Sequence, residues 1–245
     1  MTFHTFDDNS LIFRGKMKEK KHKEKEKEIA KFSCTNCGKC CTNIDNLALF
    51  EWEKNRLLAL NPNIKISPGH KISYNGTDII LYWGLNSIQT EFSKYCCPFL
   101  QIHSYDSGYF SKCSIYNDRP LVCRSFPLFH SGLNSQDEVI SLNCPISIIP
   151  FSENEKITKR QFLLRLKSAY GEIFRDSVIL DLTRTWVKEL AEYVISYLQE
   201  NEIDLEEDEI GLFELAIKKG LFTKNEIEEE IINIKKLAIE TVDSL

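Results

Sequence analysis

Cys34-Thr-Asn-Cys37-Gly-Lys-Cys40-Cys41 is the stretch on which the reading of this chain turns. Three thiols separated by two residues each repeat the spacing of the loops that wrap bacterial [4Fe–4S] clusters. Two intervening residues let the backbone curl around one centre, so that successive thiolates face it. Gly38 suits such a wrap because it takes positive φ without a Cβ clash. Zinc knuckles also use Cys-x2-Cys, so the spacing points to metal without choosing between zinc and iron. The doublet Cys40-Cys41 is less usual. Adjacent side chains diverge in an extended chain, which predicts that Cys41 serves a second site or a bridging arrangement.

Outward from this stretch, the other cysteines stand at 96, 97, 113, 123 and 144, and none occurs in the last hundred residues. Cysteine is often buried as core filling, but nine confined to one region, four of them within eight positions, is not the pattern that core filling produces. Residues 1–14 hold Asp7, Asp8 and Asn9 where a secretory leader needs an apolar run. The expectation is therefore a cytoplasmic protein, whose thiols stay reduced and act on metal rather than in disulfides. An odd number of cysteines fits a closed disulfide framework poorly as well. No run of about 18 apolar residues offers a membrane span.

The net charge of −5 is unevenly spread. Residues 14–28 carry eight Lys or Arg against four Glu, whereas residues 201–245 carry thirteen acidic side chains against five Lys. The basic run is expected to be a solvated tail. An acidic remainder argues against a nucleic-acid surface and leaves the partner, protein or small molecule, unspecified.

Patterning predicts an α+β fold. A charged tail at 1–30 precedes a cysteine-rich metal-binding domain at 31–150 with hairpins and short helices, and an all-helical region follows at 151–245. Residues 33–42 read as loop. Leu49–Leu60 reads as a short helix ending before Asn61-Pro62. Lys71–Tyr74 and Asp78–Trp83 flank Asn75-Gly76, a type I′ hairpin signal. A second hairpin is expected from Pro98–His103 and Tyr109–Ile115. Helical periodicity marks 161–174, 182–199 and 209–219, and Thr223-x-x-Glu226 opens a last helix.

Beyond the opening signature, Cys97-Pro-Phe-Leu100, the run Cys113-Ser-Ile-Tyr116-Asn-Asp-Arg119-Pro-Leu-Val-Cys123-Arg124-Ser-Phe-Pro127 and Cys144-Pro145 are on the page. With these motifs the chain resembles the YkgJ-type cysteine-cluster family, described as a zinc- or iron-chelating domain with the signature CxxCxxCC. The flagellin lysine N-methylases are similar in this cysteine motif. The resemblance implies a cofactor class rather than a reaction. Carried over residue by residue, it names Cys34, Cys37, Cys40, Cys41, Cys97, Cys113, Cys123 and Cys144 as ligands of an iron–sulfur cluster, [4Fe–4S] in type, or of Zn2+. Eight thiolates satisfy two four-cysteine centres. Cys96 lies outside the family pattern and reads as a buried or spare thiol. Tyr116, Arg119 and Arg124 are candidates either to neutralise thiolate charge around the metal or to hold an anionic substrate. The alternative is that Arg119-Pro120 only shapes a turn.

The primary functional reading is an electron-transfer or structural metal protein. The first alternative is a methylase-like enzyme acting on protein lysine with SAM, by analogy with the flagellin modifiers. The second is a metal chaperone or sensor. Nucleotide-loop, zincin and radical-SAM spacings are absent from the sequence. Imidazoles at His103 and His130 are weaker ligand candidates beside so many thiols, and His70 reads as an exposed loop residue.

Overall fold

A computed structural model describes residues 29–42, 44, 46–91, 93–105, 108–135, 138–152 and 155–245. The basic run at 14–28 and the turn at Asp106-Ser107 lie outside these. The described chain combines small sheets in its first half with a long helical region in its second, as the patterning predicts.

The first sheet has β1 (Asn46–Leu49) and β2 (Ile66–Pro68) on either side of β5 (Trp83–Asn86), both antiparallel to it. Helix α1 (Glu51–Leu60) leaves β1 directly, so Leu49 belongs to the strand rather than to the helix. In the second sheet β3 (Lys71–Tyr74) and β4 (Thr77–Ile80) form the hairpin around Asn75-Gly76, whose φ values of 46° and 90° are those a type I′ turn requires. Strands β6 (Leu100–Tyr105) and β7 (Gly108–Cys113) make the second hairpin, with Leu100 opposite Cys113. A 3-10 turn at Tyr116–Asp118 then leads into α2 (Leu121–Ser125).

The helical region differs from its sequence pattern in two places. Helix α3 (Lys159–Tyr170) ends at Gly171, φ 53°, and α4 (Glu172–Glu200) runs on for 29 residues. The apolar period crosses this break unaltered, which is why periodicity alone extends the first helix to 174. The stretch from 209 begins as a strand, β8 (Glu209–Gly211), and becomes α5 (Leu212–Lys218) only afterwards. β8 pairs in parallel with β4, completing the second sheet from 130 residues away. Thr77 Oγ1 donates to the Glu207 carbonyl at 2.6 Å and Asp78 N to the Asp208 carbonyl at 2.9 Å, which guides that pairing. The capping box at Thr223 and Glu226 opens α6 (Lys224–Asp243): each residue's side chain accepts the other's backbone N–H, at 2.7 and 3.2 Å.

One apolar core spans both halves. Phe50, Tyr74, Ile79, Leu81, Leu121, Leu128 and Val139 pack in the same cluster as Phe174, Val178 and Leu190 of α4 and Ile227 and Ala238 of α6. A smaller cluster of Leu49, Leu57, Ile64, Leu85, Cys97 and Phe99 sits under the first sheet, with Cys41 packed against it. The smaller core therefore lies directly against two of the cysteine segments.

Candidate metal centre

The loop at 33–42 has its shape set from outside. Phe32 N donates to the Ala169 carbonyl of α3 at 2.8 Å, and its ring lies 5.3 Å from that of Tyr170. Ser111 of β7 donates its hydroxyl to the Asn36 carbonyl. Gly38, at φ +72°, sits so close to this serine that a Cβ would lie 2.6 Å from Ser111 Oγ. Glycine is thus required both by conformation and by the approach of β7. The Gly38 carbonyl then accepts from Cys41 N at 2.8 Å and Thr42 N at 3.0 Å. This turn folds the doublet back on itself.

The consequence corrects the divergence expected of adjacent cysteines. Cys40 Sγ and Cys41 Sγ lie 3.7 Å apart, because the doublet closes a turn rather than continuing an extended strand. Sulfurs this close suit either arrangement the spacing leaves open, a bridge or a second site immediately beside the first.

The remaining thiols arrive from four segments. Cys97 N donates to the Cys41 carbonyl at 2.8 Å, tying the second segment to the loop. Cys113 ends β7, Cys123 lies in α2, and Cys144 follows a turn in which its N–H reaches the Ser141 carbonyl at 3.4 Å. Cys34, Cys37 and Cys40 are exposed, Cys41, Cys113 and Cys123 half-buried, and Cys97 and Cys144 buried.

These thiols lie close enough to perturb one another. Cys40 is lowered to about 7, first by the hydrogen bond from Cys41 and with help from the Arg119 charge. Cys41 is pushed up in turn, by that same hydrogen bond, by burial, and by the charges of Cys40, Cys97 and Cys123. Burial raises Cys97 to about 11, and Cys113, Cys96 and Cys40 add to it. Burial also raises Cys123, with Cys97 and Cys40 adding and Arg119 opposing. Cys144 is raised by burial and then by the charges of Cys37, Cys40 and Cys34. Cys144 thus feels Cys34, Cys37 and Cys40, while Cys41, Cys97 and Cys123 feel Cys40 and, in part, one another.

Arg119 lies beside this set. Its guanidinium stacks on the Tyr116 ring, 3.9 Å from the centroid, and its Nε donates to the Tyr116 carbonyl at 3.0 Å. Tyr116 is 47% exposed, so the pair forms a rim. Arg124 is turned to α4 instead, with Nη2 2.7 Å from Asp176 Oδ1. Cys96 is 1% exposed and held in an antiparallel bridge with Ile88. His130 Nδ1 accepts from Gly132 N at 3.2 Å, and His103 stands exposed on β6 opposite Phe110.

Two residues of this region escape a sequence reading. Glu53 of α1 accepts Leu121 N–H at 2.6 Å and Phe50 N–H at 3.1 Å. Arg56, one turn on, donates to the carbonyls of Asp118 and Arg119 at 3.1 and 3.5 Å. Both act through backbone groups more than sixty residues away, which no local motif advertises.

The donor set fits a soft metal. All the clustered donors are sulfur, which favours zinc and iron–sulfur centres over oxygen-seeking cations, and a guanidinium offsets thiolate charge. Among the described residues, no group of three or more Cys, His, Asp or Glu side chains is arranged to hold a metal ion as the chain stands. Beside the loop, a cavity of about 160 Å3 is lined by Cys37, Thr42, Leu100, Ile102 and Ser111. It is well below the roughly 300 Å3 from which sites for larger cofactors begin.

Comparison with known proteins agrees with the donor chemistry. Residues 33–145 match the model of the CxxCxxCC family, described as "Putative zinc- or iron-chelating domain", the family whose motifs the sequence resembles. The match supports metal binding by this segment. No curated protein and no solved structure matches the chain. Among the described residues no helix is long and apolar enough to cross a membrane.

Proposed function

We propose, from the match of residues 33–145 to a metal-chelating family, that this segment holds iron–sulfur or zinc in two adjacent thiolate centres. The ligands are Cys34, Cys37, Cys40 and Cys144 for one, and Cys41, Cys97, Cys113 and Cys123 for the other. The observation that carries the reading is the geometry at the doublet, where Cys40 Sγ lies 3.7 Å from Cys41 Sγ and Cys97 N donates to the Cys41 carbonyl at 2.8 Å. Spacing supports the first set independently, since three thiols of one loop and a fourth from afar is the ferredoxin plan. The 3.7 Å between the sulfurs of Cys40 and Cys41 makes the two centres neighbours. When bound, the metal supplies either a redox couple or a structural cross-link. The chain's own groups set its environment: Arg119 offsets thiolate charge, and the core under Cys97 excludes water from one side.

Three exposed ligands on one loop and an arginine at the rim suit electron transfer to a partner better than a wholly enclosed structural site. Metal and acid-labile sulfide analysis of the full chain, purified without oxygen, tests the reading. Two four-iron clusters would give about eight iron and eight sulfide per chain, and two zinc centres two zinc and no sulfide. Substoichiometric metal of every kind, under conditions that keep the thiols reduced, would refute it.

A further inference from the structure

We infer that Glu53 and Arg56 of α1 are positioning residues for the proposed centre, fixing the segment 118–123 that carries Arg119 and Cys123 against the thiols.

Helix α2 has five residues, follows Pro120, and has no side-chain cap from its own sequence. So short a helix does not hold its place by its own hydrogen bonds. Its first N–H, at Leu121, has the Glu53 carboxylate as acceptor, from 68 positions away. The other carboxylate oxygen accepts Phe50 N–H, so each oxygen has a backbone donor. Glu53 is 4% exposed, and a buried carboxylate is costly unless fully hydrogen-bonded. Arg56 adds a second grip: its Nη2 reaches the carbonyls of Asp118 and Arg119, so two successive turns of α1 hold three residues of the distant segment. What they hold bears directly on the site. Arg119 is the guanidinium beside Cys40 and Cys123, and Cys123 follows Leu121 by two positions. A displaced Leu121 would carry Cys123 with it.

Glu51 provides an internal contrast. It also accepts a distant backbone N–H, that of Phe213 at 3.3 Å, but this contact leads to α5 and not to a thiol. A purely structural role for Glu53 would make the two glutamates equivalent.

The inference rests on the metal reading above, and the test separates them. Full-length wild type, Glu53→Gln, Arg56→Ala and Glu51→Gln are purified without oxygen and challenged with EDTA. Metal retained is followed in time, alongside the urea midpoint of each protein. Gln cannot accept both N–H groups, because its amide nitrogen is itself a donor. Metal loss is expected to be roughly ten- to hundredfold faster in Glu53→Gln and Arg56→Ala, the usual scale for groups that orient ligands. Glu51→Gln should lose metal at the wild-type rate even where its urea midpoint falls. Wild-type rates in both Glu53→Gln and Arg56→Ala would overturn the inference alone, as would equal acceleration in Glu51→Gln. A wild type that purifies without metal would overturn the reading on which it rests, and the inference with it.

Discussion

At Arg119 the chemistry of a single side chain has a sign that can be measured. Its guanidinium is stacked on Tyr116 and bonded to that residue's carbonyl, so its charge is held beside Cys40 and Cys123. Reducing an iron–sulfur centre adds negative charge, which a nearby cation stabilises. Arg119→Ala should therefore lower the reduction potential of a bound cluster while leaving most of its iron in place. An unchanged potential by protein-film voltammetry would assign Arg119 to the turn alone. Cys96 makes the complementary case. Its thiol is buried beside Ile88, and Cys96→Ala should leave metal content at the wild-type value, whereas Cys97→Ala should lower it. Equal losses in the two variants, by metal analysis, would move Cys96 into the ligand set. The thiols were legible in the sequence because metal sites impose spacing on neighbouring residues. Glu53 and Arg56 were not, because they act on backbone atoms that any residue at 118–121 would supply.

Among the elements, α2 is the joint between the cysteine segments and the helices. It is held to α1 by Glu53, with Arg56 fixing the turn just before it, and to α4 by the pair of Arg124 and Asp176. That pair is partly shielded, and the Arg124 Nε beside it is buried without a hydrogen-bond partner among the described residues. Asp176→Asn should cost about 2 kcal/mol in urea unfolding, the scale of a hydrogen bond between charged groups. A change under about 0.5 kcal/mol would place the pair with ordinary surface ion pairs. Elements were readable where local chemistry decides them. The Asn75-Gly76 hairpin and the Thr223–Glu226 capping box each satisfy backbone requirements within a few residues. β8 was not readable, since three residues in an acidic stretch become a strand only when β4 offers an edge. The break at Gly171 was hidden for another reason, as α3 and α4 keep one apolar rhythm across it.

The whole molecule is built so that its helices are not an appendage. Phe174 of α4 is fully buried in a core that includes Phe50, Leu121 and Leu128 from the cysteine-rich half. Phe174→Ala should cost about 3–5 kcal/mol, and it should lower the thermal midpoints of the two halves together. Separate transitions for the helices and for the cysteine segments, resolved by calorimetry, would instead make them independent units.

The most direct test of the central claim is a comparison of metal stoichiometry across Cys37→Ala, Cys41→Ala and the double variant, each purified without oxygen. If two adjacent centres divide the eight thiolates as proposed, each single change should remove about one centre's worth of metal and the double change both. One centre per chain in the wild type, abolished equally by either single change, would contradict the division and join Cys40 and Cys41 at one shared cluster.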